Sequence, residues 1–550
     1  MVQLFQLPYN KTDMKKIFSY FIVGALAVGV TSCKKALDIN DNPNNPTSST
    51  PAVTLPAGIV GTASVNNNYS QSFGYPGGFF ANVYGFGGYG ATVTTNYGTS
   101  DFAGPFQQSY DNAQDYQYII DNTSGASNVY FNSIARIMKS FVFSKLVDNY
   151  NDVPYTDALK GVGNLTPKYD KAADVYTALV KELDASIAAI TAGQAQPSSS
   201  APTKVLAPAD PMFGGSDHMD DWKRFANTLK LRLLVKMAAV PETASFATTE
   251  LASWNSTIGI ITDDALVNPG YAKQGGRLAP IYNSLAADEN GNRRVTSVLP
   301  TKYVFAFYNG GKLTDEGRGG VIYRSYPNTQ TNQLGQENLA STVIPPAGST
   351  AFYTGADFNT PGLGAVKGPS QGQVIMLLAE ARFIKAEAEA RGLIGGGISA
   401  AKTDFEAGIT ASFRYLYKNQ TNVVDGSKTT ALTTALADYK TANPSSYLVN
   451  FDLATTAAQR LEAIITQKYI ALNEISHDEA FAEFRRTTYP VSTTSTSNPI
   501  TSFASIQSRA TSPDKLITRV PYPQSEYNLN PSNVPQNINI YTAKVFWDLN

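Results

Sequence analysis

Four stretches of the chain repeat apolar residues at the spacing of a helix that buries one face. Tyr176, Leu179, Val180, Leu183, Ile187 and Ile190 form the first, with Pro167 upstream and Gly193 beyond as boundaries. Phe225, Leu229, Leu233, Leu234 and Met237 form the second, begun after Asp220 and Asp221. Met376, Ala379, Phe383, Ala386, Ala390 and Leu393 form the third, whose alanines allow close helix packing. Gly395, Gly396 and Gly397 end it, and a partner helix is expected from about Ser399. Leu461, Ile464, Ile465, Tyr469 and Leu472 form the fourth. Such stripes predict helix-turn-helix pairs, yet no clean 34-residue period runs through them. The expected fold is mostly α, a degenerate tetratricopeptide-like helix-pair superhelical scaffold with long irregular loops and a few short strands.

The pattern breaks in three places. Ile17 to Val30 is an apolar run of 14 residues after Lys15 and Lys16, followed by Thr31, Ser32 and Cys33. It is too short to span a bilayer, which takes about 20 residues. Basic, then apolar, then small residues read as an export signal. Ending on Cys33, the only cysteine of the chain, the run is similar to a bacterial lipoprotein signal, in which the thiol is acylated and becomes the new N-terminus. Met14 is the expected start, with residues 1–13 an upstream extension. Lys34 to Pro56 is rich in Asn, Asp and Pro and is expected to be an extended, solvated tether. Its DINDNPN run lacks the glycine and distal glutamate of a calcium loop, so no metal is expected there. The organisation is thus residues 1–32 as extension and signal, 33–52 as lipidated cysteine and linker, and 53–550 as one domain.

Tyr69 to Phe106 is the second break, with eleven Tyr and Phe residues set among glycines. Its G-x-G-x-x-G, Gly85 to Gly90, follows no β-branched strand and has no answering acid, so a dinucleotide site is not expected. Each ring singly fits a core, whereas the cluster as a whole fits a platform for sugar rings. The third break, Gly270 to Gly372, is too long and too rich in Gly, Asn, Pro and Tyr for a simple connection. Insertions of this kind carry function on rigid scaffolds. Its candidate contacts are Tyr282, Arg293, Arg294, Tyr303, Tyr308, Arg318, Tyr323 and Tyr326. The proline-punctuated run from Arg519 is expected to be extended and to wrap the body.

Composition narrows the function. Without residues 1–32, 40 Lys and Arg face 43 Asp and Glu, which leaves no basic face for nucleic acid. Charged residues are 16% of the chain, and nothing after Val30 is long and apolar enough to span a membrane. The chain has two histidines, His218 and His477, far apart in sequence, which supplies neither a zinc site nor a Ser-His-Asp triad. His477 precedes Asp478 and Glu479, and a surface or cap role is expected. Asp288/Glu289 and Asp315/Glu316 are the carboxylate pairs a glycosidase would need, but adjacent residues rarely face one cleft from opposite sides. Binding is favoured over catalysis, and no cofactor is implied.

Several blocks carry a family resemblance. Val147 to Leu159 (VDNYNDVPYTDAL) and Pro167 to Asp170 (PKYD) resemble the signature of the SusD/RagB outer-membrane lipoproteins of Bacteroidetes. Trp222 to Arg232, Ala379 to Ala388, Ile465 to Ile470, Phe484 to Arg486 and Pro521 to Pro531 resemble it too, in the family's order. The LDINDNPNNPT run is similar to the SusD-like 2 subgroup. The resemblance implies tetratricopeptide-like helix pairs and no catalytic function. It also implies a lipid anchor at Cys33 in the outer membrane, exposed at the cell surface. The implied partner is a SusC-type TonB-dependent transporter, which receives an oligosaccharide or a peptide captured outside the cell. By region, the family's sugar site falls on Tyr89, Asn96 and Tyr97 with Tyr282, Tyr308 and Tyr323. Trp222, Trp254 and Trp547 lie outside both regions. The alternatives are a surface-anchored glycoside hydrolase and a peptide-binding member of the same family.

Overall fold

The computed structural model describes residues 49–83, 90–336, 350–493 and 498–550. The signal, Cys33, most of the linker, and Tyr89 with the rest of its glycine-rich run before Gly90 lie outside the described residues. Pro51 to Asn550 forms one contact-dense unit.

Helices dominate it. Those of six residues or more are, in chain order, α1 (Pro51–Phe73), α2 (Ala103–Asp121), α3 (Val129–Tyr150), α4 (Ala172–Gln194), α5 (Met219–Met237), α6 (Ala244–Ala252) and α7 (Pro280–Leu285). Then follow α8 (Glu316–Ile322), α9 (Leu378–Ala390), α10 (Gly397–Tyr417), α11 (Gly426–Ala442), α12 (Ala457–Ala471), α13 (His477–Thr487) and α14 (Gln524–Leu529). Neighbours in sequence pack as neighbours in space: α1 on α2, α2 on α3, α3 on α4, α4 on α5, α9 on α10. The mostly α, helix-pair reading therefore holds.

The stripes behave as their spacing demands. In α4, Tyr176, Leu179, Val180, Leu183 and Ile190 are buried, while Ile187 is half-buried. Asp220 and Asp221 fall in the first turn of α5, where the helix dipole favours negative charge. In the α9–α10 pair, a Cβ on Gly408 would stand 2.6 Å from the Phe383 ring, so only glycine permits that approach.

Two boundaries differ from expectation. Met376 is not helical: it ends a strand, β4 (Gln373–Met376), and the helix starts two residues later. The tether is shorter than the prolines suggested, because α1 begins at Pro51 and continues through Pro56. Pro51 fits the first helical position, and Pro56 sacrifices only its bond to the Ala52 carbonyl. The C-terminal run wraps the body as expected, Tyr522 reaching the Asp152 carbonyl at 2.7 Å, but it contains the helical turns of α14.

Four short strands complete the framework. β2 (Ala265–Val267) pairs antiparallel with β4. β1 (Phe80–Asn82) pairs antiparallel with β3 (Val298–Pro300), Phe80 opposite Pro300 and Asn82 opposite Val298. This second ribbon ties the early aromatic segment to the late insertion, the two regions in which a ligand site was expected.

Candidate functional site

The ribbon brings the two regions together but turns their rings inward. Tyr69, Phe73, Phe79, Phe80, Phe102 and Phe106 are core. Gly78 makes the turn before β1 with φ +81°, and a Cβ there would lie 2.5 Å from the Phe503 ring. Tyr282, Tyr308 and Tyr323 are also fully buried. Tyr282 donates to the Phe358 carbonyl at 3.0 Å, and Asn473 Nδ2 donates to the hydroxyls of Tyr308 and Tyr323 at 2.9 and 2.7 Å. None of the three offers a ring face to solvent. Tyr303 and Arg318 are likewise internal, the latter paired with Asp315. Tyr97 is half-buried, edge-on to Phe102, and Asn96 is exposed with its Oδ1 3.3 Å from the Tyr541 hydroxyl.

His477 also differs from expectation, lying fully buried at the first turn of α13. Its Nδ1 lies 2.9 Å from the Ser70 carbonyl, and its Nε2 accepts the Glu474 N–H at 3.0 Å. Burial pushes its pKa down to about 3, so the ring is neutral and structural. His218 is exposed beside Asp221.

Asp148, Arg232, Glu380 and Lys468, from four of the blocks that carry the family resemblance, meet in a buried ionic centre between α3, α5, α9, α12 and α13. Lys236 meets Asp148 at 2.9 Å and Glu479 at 3.1 Å. Lys468 meets Glu479 at 3.2 Å and Glu483 at 2.9 Å. Arg232 meets Glu380 at 3.2 Å, and Lys145 meets Asp478 at 2.7 Å. Asp148 also takes the Trp547 Nε1 at 2.8 Å and the Tyr176 hydroxyl. Burial alone would raise the Glu479 carboxyl, but Lys236, Lys468 and Arg232 hold it well below the usual range. Burial opposes the ionised Glu483 as well, and Arg486 and Lys468 hold it at about 2. These side chains are sealed from solvent. The centre therefore joins helices and offers no ligand a place to bind.

A second polar constellation is open to solvent. A cleft of about 470 Å³ lies between α1, α2, α7 and the turns around them. Ser64, Asn67, Asn68 and Gln71 line it from α1 at helical spacing, i, i+3, i+4 and i+7. Gln108 comes from α2, and Asn283 and Ser284 from α7. Glu289 and Arg294 come from a tight turn that Asp288 organises, accepting from Asn290 N at 2.9 Å and Asn292 N at 2.7 Å. The hydrogen bonds from the Asn292 side chain and backbone hold the Asp288 carboxyl below its ordinary range.

The cleft's amides brace one another only in part. Asn67 Nδ2 donates to Ser284 Oγ at 2.9 Å and Asn68 Nδ2 to Gln108 Oε1 at 2.9 Å. Arg294 Nε donates to Asn283 Oδ1 at 3.2 Å. Gln71 Nε2 is shielded from solvent and has no partner. A shielded amide without a partner is a donor that a bound acceptor would satisfy. Among the described residues no aromatic lines the cleft. Glu289 is its only acid among them, since Asp288 is committed to its own turn, so no carboxylate pair among the described residues faces a shared substrate position. Asp315 is buried against Arg318, so the other carboxylate pair does not face a cleft either.

Arg294 was among the sequence candidates, whereas the α1 amides were not. Their signal was present as the polar stripe of SVNNNYSQ, legible once Pro51 to Phe73 is known to be helical. Among the described residues no group of His, Cys, Asp or Glu is placed to hold a metal ion, and no helix is long and apolar enough to cross a membrane.

Solved structures share the fold. A chitin-binding SusD homologue from Flavobacterium johnsoniae superposes with a TM-score of 0.65 at 22% identity, covering 90% of this chain and 99% of the other. A SusD homologue from Bacteroides uniformis gives 0.63 at 24% identity, covering 90% and 99%. A SusD/RagB family protein from Bacteroides thetaiotaomicron gives 0.62 at 18% identity, covering 91% and 99%. A search of curated proteins finds no match. Residues 43–523 match the SusD-like 2 family, described as starch-binding and associating with the outer membrane. With that match spanning most of its length, the chain belongs to the SusD/RagB family.

Proposed function

We propose that this chain is a surface lipoprotein of the outer membrane, anchored through Cys33. It captures an oligosaccharide in the α1–α7 cleft and delivers it to a SusC-type TonB-dependent transporter. The unpartnered Gln71 amide in a cleft of amides, one guanidinium and one carboxylate carries this reading. Asn, Gln and Arg side chains are the groups that pair with sugar hydroxyls. Each such bond contributes about 0.5–1.5 kcal/mol net, so a few of them give weak, readily reversible capture. A ligand that must be handed on should be held in this way. Several acyl chains on Cys33 would anchor the protein firmly where a single chain would not.

The relative that binds chitin makes chitooligosaccharides the first probes, with starch oligosaccharides beside them. Calorimetric titration of the purified protein should give saturable binding to one of these. Gln71→Ala and Arg294→Ala should weaken it. New reducing ends released on prolonged incubation would instead establish a surface glycoside hydrolase. The described lining, amides without aromatics, favours one other reading, a peptide ligand whose backbone amides pair with the cleft. Saturable binding to peptides alone would select it.

A further inference from the structure

The cleft between α1 and α7 is not wholly polar. Leu278 and Pro280 line it too, and among the described residues they are its apolar side chains. Both are half-buried, and Leu278 packs on the hydrophobic core while it meets the cleft.

The backbone fixes this patch. Before Leu278, Ala272 N donates to the Arg277 carbonyl at 2.8 Å, and Arg277 Nη2 donates to the Gly270 carbonyl at 2.8 Å. After it, Ala279 N donates to the Pro369 carbonyl at 2.9 Å and Ile281 N to Gln373 Oε1 at 3.0 Å. Pro280 opens α7 between these last two bonds. A segment tied at both ends keeps its apolar side chains in the cleft wall.

The α1 wall holds a donor. Gln71 Nε2 has no partner, and Gln71 follows Asn67 by one helical turn. Asn67 Nδ2 donates at 2.9 Å to the hydroxyl of Ser284, which follows Pro280 by one turn of α7. This bond ties the two walls, so donor and apolar patch border the same volume of about 470 Å³. The Gln71 side chain ends on a broad torsion, so its amide can turn to a bound group without moving the helix.

The two features ask different things of a ligand. The amide needs an acceptor. Leu278 and Pro280 need a group that gives up no hydrogen bond on leaving water. A hydroxyl set on that patch would lose its water and gain no partner. A carbonyl that carries a methyl satisfies both features, and in sugars that pair is the acetamido group.

We infer that the cleft selects oligosaccharides bearing acetamido groups, and that Leu278 is the residue that sets this preference. This rests on the function proposed above. The acetamido oxygen accepts from Gln71, and the methyl covers Leu278 and Pro280. Gln108, Glu289 and Arg294, elsewhere in the lining, are left for the ring hydroxyls.

The test is calorimetric titration of the purified full chain with two tetrasaccharides of the same β-1,4 linkage. Chitotetraose carries an acetamido group on each ring where cellotetraose carries a hydroxyl. Wild type should bind chitotetraose at least about tenfold tighter, as a methyl group in an apolar site does, with the carbonyl bond adding to it. Leu278→Ser should bring that ratio below about threefold, and Leu278→Val should keep it. Because Leu278 also touches the core, melting of each variant is recorded, and the wild-type ratio stands without them. Equal affinity of wild type for the two, or tighter binding of cellotetraose or maltotetraose, overturns the inference and leaves the proposed function standing. So does a Leu278→Ser protein that melts like wild type and keeps the tenfold ratio. No saturable binding of any of these sugars overturns both. Chitin and bacterial peptidoglycan both offer the group, so the peptide-free tetrasaccharide of peptidoglycan is a fourth probe. Tighter binding of it than of chitotetraose keeps the inference and assigns the source to the cell wall.

Discussion

The ionic centre and the α1–α7 cleft draw on the same side-chain chemistry for opposite ends. In the centre, Glu479 meets three cations and Glu483 two, and water is excluded. In the cleft, Gln71 keeps a donor without a partner, and Arg294 is exposed with one nitrogen engaged. A polar network whose partners are internal spends its energy on joining helices. One left incomplete at a surface keeps that energy for a ligand. Reading function from polar residues therefore requires knowing which hydrogen-bonding capacity the fold has already consumed.

The strongest way to break this comparison is to open the centre. Lys236→Met would leave Asp148 and Glu479 without one of their cations, and removing one partner of a buried pair costs about 3–5 kcal/mol. Thermal unfolding should shift down sharply, while calorimetry on the folded protein should show unchanged ligand affinity. An unaltered melting temperature would mean the centre does not hold the helices. The centre also sets the acid limit. Unfolded Glu483 titrates near 4.5, whereas its neighbours hold it at about 2 in the fold. Its contribution is complete above pH 4.5 and is lost as pH falls toward 2. Acid unfolding followed by circular dichroism should lie in that window.

Glu474 is the exception inside the core, and it predicts a smaller effect of opposite sign. It is fully buried at φ +61°, and neither carboxylate oxygen has a partner. His477, 4.0 Å away, is neutral and cannot compensate it. Burial raises the Glu474 carboxyl well above the usual range. Its contribution to stability is therefore complete below the unfolded value of 4.5 and falls as pH rises toward the folded value. Glu474→Gln should stabilise the protein by about 1–3 kcal/mol at about pH 8 and change little at about pH 4. A variant that melts lower at both values would point to a hydrogen-bonding role for the acid.

What the sequence made legible follows the same division. Helices with one wet face announced themselves: α4 buries Leu179, Val180 and Leu183 and leaves Lys181 and Ala185 exposed. Helix α3 did not, because it is buried nearly all round and so lacks an alternating pattern. Helix α1 was hidden for another reason. Its inner face carries Thr62, Asn66 and Ser70, which bond to Tyr116, the Val374 carbonyl and the His477 amide, where apolar residues would ordinarily mark a stripe. Missing α1 meant missing the cleft it lines. Three of the candidate tyrosines are buried because a phenol suits a wet loop or a core equally, provided its hydroxyl finds a carbonyl or an amide. Tyr282, Tyr308 and Tyr323 all do.

The cleft itself offers the next test. Arg294→Ala should weaken oligosaccharide binding about tenfold, near 1.4 kcal/mol, and leave melting within about 0.5 kcal/mol, because its side chain is exposed. A loss of stability as large as the loss of affinity would show that Arg294 braces the turn from Asp288 to Arg294 more than it meets ligand.

The smallest predicted effect separates the cleft from the alternative placed on the early loop. Asn96 is exposed, and the contact it makes is the 3.3 Å approach to the Tyr541 hydroxyl. That hydroxyl also donates to the Thr95 carbonyl at 3.0 Å, so Asn96→Ala leaves it satisfied. Stability should move by less than about 0.5 kcal/mol. If the α1–α7 cleft holds the ligand, affinity should not move either, since Asn96 is absent from its lining. A clear fall in affinity with melting unchanged would place the ligand on the loop that carries Asn96 and Tyr97. The amide cleft would then be a neighbouring feature of the surface, and its vacant donor would need another explanation.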